Sequence, residues 1–170
     1  MLTRLRAGFE HLLEGIVILL MVALAIEVIL GVGFRQMDKA LVWYDEIASV
    51  TLAWLTYYGA ALTALKGGHI GVPEIVRMLP PRWRVPFVLL AETIVIVFFV
   101  VLAWSGWYVI EVLATDTLVS LPAVSVQYTQ SVIPIGAVLF IIAELLRLPL
   151  LLAQARLART DLDKAEEIGV

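Results

Sequence analysis

Apolar residues in this chain gather into four long runs separated by short polar breaks, and those runs set the architecture. They extend over Leu12 to Phe34, Ile47 to Leu65, Pro86 to Leu113 and Tyr128 to Leu152. Each is near or above the roughly 20 residues that a helix needs to cross a hydrocarbon core ~30 Å thick. The pattern predicts an all-α integral membrane protein with four transmembrane helices. A single membrane domain takes up residues 1–170, of which 153–170 form a short cytoplasmic tail.

The basic residues supply an orientation. Arg4 and Arg6 precede the first run, Lys66, Arg77, Arg82 and Arg84 follow the second, and Arg147, Arg156, Arg159 and Lys164 lie at the C-terminal end. Ten of the twelve Lys and Arg residues therefore fall on one side, against Arg35 and Lys39 on the other. By the positive-inside rule, both termini and the middle loop are expected in the cytoplasm, with residues 35–46 and 114–127 outside. The formal charge of −3 adds little, because placement of Lys and Arg and not net charge sets topology.

Composition agrees, with 62% hydrophobic and 16% charged residues and a mean hydropathy of +0.98. The absence of cysteine excludes disulfides, thiolate metal sites, covalent haem attachment and dithiol redox chemistry. A cleavable signal peptide is the rival reading of the first run, since Ala23-Leu24-Ala25 imitates a cleavage site. The run continues to Phe34, well past a signal core of about 7 to 15 residues, so a membrane helix is expected. Its fifteen Leu, Ile, Val and Phe residues contribute roughly −5 to −9 kcal/mol to insertion, which outweighs about +3 kcal/mol for one central charge.

Several residues stand out against this background. Glu27 lies ~6 Å from the midpoint of the first run, with no basic residue within a turn. A carboxyl at that depth either ties two helices together or belongs to a relay, and a relay normally needs more than one such group. Trp43-Tyr44-Asp45-Glu46 places aromatic rings at the interface and two acids at a helix start. There Asp45 and Glu46 serve to cap the helix, to contact a partner outside the membrane, or both. In the second run Gly59 and Thr63, like Ala60 and Ala64, are four apart and form a small-residue packing face, either within the protein or against another subunit.

The middle loop reads as a Gly67-Gly68 break followed by a short amphipathic surface helix. Pro73 suits its first turn, and Val72, Ile75, Val76 and Leu79 form the apolar face. Arg77, Arg82 and Arg84 are expected to reach lipid phosphates. His69 is read as an interface or hydrogen-bonding residue. In the third run Trp104, Trp107 and Tyr108 mark the outer interface, and the loop after it, Thr115 to Pro122, is apolar enough to dip into the headgroups. Pro134 and Gly136 are expected to loosen or bend the fourth helix, and Glu144 with Arg147 to form a local ion pair. No protease aspartate pair, histidine ladder or nucleophile motif appears, nor the matched broken helices of a secondary transporter, so the chain reads as an accessory subunit and not an enzyme.

The residues Arg35, Trp43-Tyr44-Asp45-Glu46-Ile47, Trp54, Gly59-Ala60-Ala61, Lys66-Gly67-Gly68-His69-Ile70-Gly71-Val72 and Leu79-Pro80-Pro81-Arg82 form an ordered series. Leu121-Pro122-Ala123, Tyr128 and Ile133-Pro134-Ile135-Gly136 continue it. From about residue 12 to 148 this series resembles the small, DctQ-type membrane subunit of tripartite ATP-independent periplasmic (TRAP) transporters. The resemblance implies a bacterial inner-membrane subunit that pairs with a large membrane subunit and works with a periplasmic substrate-binding protein. It implies that sodium and an organic acid bind in the large subunit, which moves as an elevator, while the small subunit enlarges the static scaffold. No cofactor and no nucleic-acid partner are expected for this chain. A small homo-oligomeric transporter or channel, and an accessory subunit of a different membrane complex, are the alternatives.

Overall fold

The computed structural model describes residues 2–68 and 79–167. They form α1 (Leu2–Gln36), α2 (Tyr44–Lys66), α3 (Pro81–Val112), the short α4 (Val126–Gln130) and α5 (Val132–Glu167). Four segments are long and apolar enough to cross a membrane, Arg4–Gln36, Tyr44–Lys66, Arg82–Val112 and Val126–Ala153. The expected all-helical, four-span class is therefore the one observed. The surface helix and His69 lie outside the described residues.

The helices outrun the apolar segments that announce them. α1 begins ten residues before Leu12, and α3 starts at Pro81, where Pro80 is the N-cap and Trp83 N–H donates to its carbonyl at 2.9 Å. Hydropathy reports the stretch that lipid can cover, whereas backbone hydrogen bonding carries each helix on into water until a stop residue intervenes. The stops are visible. Gly67 adopts φ 78°, and the bonds Gly67 N–H to Ala64 O (3.1 Å) and Gly68 N–H to Thr63 O (2.9 Å) close α2 in a Schellman motif. α1 ends in the same motif, with Asp38 N–H to Arg35 O and Lys39 N–H to Phe34 O, but the left-handed position is taken by Asp38 at φ 54°.

Packing joins α1 to α2, α2 to α5 and α5 to α3, which leaves α1 and α3 at opposite edges. Three sets of close approaches define the register. Gly31 against Tyr44 and Glu14 against Lys66 make α1 and α2 antiparallel. Trp54 with Thr129, Tyr57 with Gly136 and Gly67 with Arg147 make α2 and α5 parallel. Gly106 with Pro134, and Phe99 stacked on Phe140 at 3.7 Å between ring centroids, make α3 and α5 antiparallel. The fully buried core, Leu13, Ala61, Ala64, Leu65, Phe140 and Ala143, sits toward the end that carries the N-terminal part of α1. We call that the tail end; the opposite, turn end carries residues 37–43 and 113–125.

Two sequence expectations change here. The fourth span, Val126–Ala153, is interrupted at Ser131, just before Pro134, which is buried in the first turn of α5 with its ring packed at Gly106. Gly136 is a contact point and not a hinge, since a Cβ there would stand 2.7 Å from Tyr57 Cβ. The small-residue face of α2 also divides. Ala61 and Ala64 are buried and Ala60 is packed against the core, but Thr63 is exposed and a Cβ on Gly59 would meet nothing within 4 Å.

Candidate functional site

The functional candidates fall into a turn-end cluster, an outward face of α2, and a tail-end set of charges. At the turn end, Glu46 stands in the first turn of α2, whose N-cap, Trp43, makes no side-chain cap bond. Capping its own helix is one of the two roles the sequence leaves open for this carboxylate, contact with a partner outside the membrane being the other. The carboxylate instead crosses to the loop after α3, accepting from Val119 N–H at 3.0 Å, Ser120 N–H at 2.8 Å and the Ser120 hydroxyl. Capping by self-service fails because a neighbouring loop offers three convergent donors, and a carboxylate satisfied by several donors is the better-stabilised arrangement.

That loop is itself built to hold a shape. Thr117 and Ser125 form an antiparallel bridge, Leu118 N–H donates to Val124 O at 3.0 Å, and Val126 N–H donates to Asp116 O at 3.0 Å. Ser125 Oγ then accepts from Gln127 N–H at 3.2 Å and caps α4. Leu118 is buried beneath the loop while Val119, beside the Glu46 clamp, is 93% exposed. Trp54 secures the next segment by donating its indole N–H to Thr129 O at 3.0 Å. Asp45 and Arg35 are exposed at the same end.

The outward face of α2 carries Leu52, Thr56, Gly59, Thr63 and Lys66, spaced by four and three residues. Leu52, Thr56, Thr63 and Lys66 are exposed and the space over Gly59 is open. Thr56 and Thr63 donate their hydroxyls to the carbonyls of Leu52 and Gly59, both at 2.8 Å, which satisfies them within the helix and leaves a smooth surface. Such a surface permits close approach by another helix in lipid, where small side chains let backbones come together.

Glu27 occupies the α1 seam facing α2, in line with Leu13, Val17, Leu20, Leu24 and Gly31; Leu13 and Gly31 are buried and the others half-buried. Its Oε1 is buried without a hydrogen-bond partner. One turn further on, a Cβ at Gly31 would overlap the Tyr44 ring, so α1 and α2 are in close contact there.

At the tail end the structure reveals more than the sequence suggested. Arg6 donates to Leu65 O at 3.0 Å, and Lys66 pairs with Glu14 and, at 3.8 Å, with Glu10. Arg84 is 5% exposed and donates its Nε–H to Leu79 O at 3.0 Å, so it does not extend to lipid phosphates as expected; Arg82 is exposed. Glu144, 4% exposed, lies 4.0 Å from Arg147 and beside Glu92 of α3, and Arg147 lies over Gly67 at the end of α2. The sequence signal for this cluster was the presence of Arg84, Glu92 and Glu144 inside or beside apolar runs, where a charge must find protein partners.

The family model for the DctQ component of tripartite ATP-independent periplasmic transporters matches residues 24–154, from the turn-end half of α1 to the last apolar turns of α5. The chain belongs to the DctQ family. No curated protein matches it. A DctQ chain is the small permease component of a TRAP transporter, a transport component in a family that is not one of enzymes, and it associates with a large membrane subunit and a binding protein. The matched region contains Glu46 and its loop, the outward α2 face and the seam carrying Glu27.

Proposed function

We propose that this DctQ chain is a static brace for the large membrane subunit in sodium-coupled, binding-protein-dependent uptake of an organic acid across the bacterial inner membrane. In this reading the solute and sodium bind in the large subunit, and this chain supplies lateral bulk, depth anchoring and a shaped outer surface. The observation that carries it is the α2 face of Leu52, Thr56, Gly59 and Thr63. Its side chains are exposed, the space over Gly59 is open, and its hydroxyls are satisfied within the helix, which suits close helix approach. The Lys and Arg bias supports cytoplasmic termini and hence an outer location for the Glu46-clamped loop, where a periplasmic binding protein would meet it.

Reconstitution tests the assignment. Liposomes containing this chain with its large subunit and binding protein are expected to accumulate an organic acid when a sodium gradient is applied, and omission of any one component is expected to abolish uptake. Saturable accumulation by this polypeptide alone would overturn the brace reading.

A further inference from the structure

On the edge helix α3, Trp104, Trp107, Tyr108 and Glu111 follow i, i+3, i+4, i+7 spacing and line one shallow concavity of about 260 Å³ near the turn end. The rings are exposed, Trp104 to 80%, and Trp107 Nε1–H donates to Glu111 Oε1 at 3.1 Å. That bond holds the carboxylate at the edge of the Trp107 ring, in a concavity it shares with Trp104 and Tyr108, and leaves its other acceptor positions open. Trp107 is also a wall of a second concavity, about 340 Å³, between α3 and α5. Ile110 of α3 lines it together with Pro134, Ile135, Val138 and Leu139 of α5, and Ser131 is the polar residue of the lining. From Ser131 to Leu139 this groove runs about 12 Å along α5, away from the turn end and toward the middle of the membrane.

An aromatic belt alone explains rings at the interface, but not a carboxylate held among them or an apolar channel leading inward from their midst. A carboxylate that shares a concavity with exposed aromatic rings is complementary to an ammonium group, which can pair with the charge while lying over a ring. We propose that these two concavities form one binding site for a phospholipid with an ammonium headgroup. The headgroup nitrogen sits on Glu111, Trp104, Trp107 and Tyr108, and one acyl chain lies in the groove between α3 and α5. Charge settles the lipid class: an anionic headgroup without an ammonium would meet Glu111 unfavourably.

The full-length chain, extracted in mild detergent with the membrane partners that remain on it, is titrated with phosphatidylethanolamine and phosphatidylglycerol of identical acyl chains. Native mass spectrometry reads the adducts. Phosphatidylethanolamine is expected to be retained preferentially, and Glu111→Gln to lower its retention about fivefold while leaving phosphatidylglycerol unchanged. Trp104→Ala is expected to act in the same direction, and Val138→Trp, which fills the groove, to reduce retention of both lipids. Equal retention of the two lipids by the unaltered protein would overturn the site, as would indifference to Glu111→Gln in a helical, monodisperse sample. Loss of a membrane partner on Glu111→Gln or Trp104→Ala, with the lipid ratio unchanged, would mark this face as a protein contact and likewise overturn the proposal.

Discussion

Glu46, at the start of α2, holds the backbone of Ser120, 74 residues further along the chain, and so fixes the loop between α3 and α4 to a helix on the other side of α5. Without that clamp the loop would keep its internal bridge and the cap at Ser125 but lose its tether to α2. Glu46→Ala is therefore expected to leave the four spans intact and to speed amide exchange selectively at Val119 and Ser120. Exchange measured by mass spectrometry on the purified subunit checks this, and unchanged protection at both amides would refute the clamp. If the loop also meets the binding protein, charge reversal at Asp45 and Glu46 should raise the binding-protein concentration needed for half-maximal uptake.

Gly31 offers the clearest test of the α1–α2 seam. Any side chain there runs into the Tyr44 ring, and forcing atoms into a packed contact costs about 1 to 3 kcal/mol. Gly31→Val should lower thermal stability in detergent, and adding Tyr44→Ala should recover part of the loss. Gly33→Ala, a substitution into open space two residues away, is the control and should be neutral or slightly stabilising.

Gly59 tests the outward face of α2. Because a Cβ at this position meets nothing within the chain, Gly59→Leu is expected to leave the isolated subunit as stable as before while reducing its co-purification with the large membrane subunit at least several-fold. Gly136→Leu, by contrast, strikes Tyr57 and should destabilise the subunit itself. Normal recovery of the complex carrying Gly59→Leu would remove this face from consideration.

Glu27→Gln should preserve both assembly and uptake. The seam position gives Oε1 no donor, so an isosteric amide removes no hydrogen bond there. Loss of sodium-driven uptake by a correctly assembled transporter would instead make this carboxyl a participant in transport.

Asp38 holds a left-handed backbone that glycine adopts without steric cost, as Gly67 does at the equivalent position of α2. Asp38→Gly is expected to change stability by only about 0.5 kcal/mol, in the stabilising direction. Asp38→Val should be destabilising by about 1 kcal/mol or more, because a β-branched residue tolerates that conformation poorly. Parallel thermal melts of the two variants decide the matter.

The spans were legible because a ~20-residue apolar requirement is a coarse and strongly imposed constraint. Their ends were not, since hydropathy is silent about helix that continues in water, as at Leu2 and Pro81. The Gly67-Gly68 break could be read directly, because few residues other than glycine take that backbone. Glu46 is notable in the sequence, but its partners within the chain are not. Spacing along one helix describes neighbours on that helix, and the donors at Val119 and Ser120 come from a loop that no periodicity brings near. Likewise Gly59 and Ala64 looked alike as small residues, and only the third dimension sends one outward and the other into the core.

The parallel placement of α5 beside α2 has a consequence for how the molecule is made. The hairpin of α1 and α2 and the single span α3 reach the bilayer before the helix through which most of their mutual contact passes. Until α5 arrives, Gly106 and Phe99 on one side and Tyr57 and Ala61 on the other lack the surface they close upon. The helix made last of these four spans is thus the keystone, and before it is inserted the α1–α2 hairpin and α3 are two unjoined pieces in lipid, open to proteases or to premature capture by another protein.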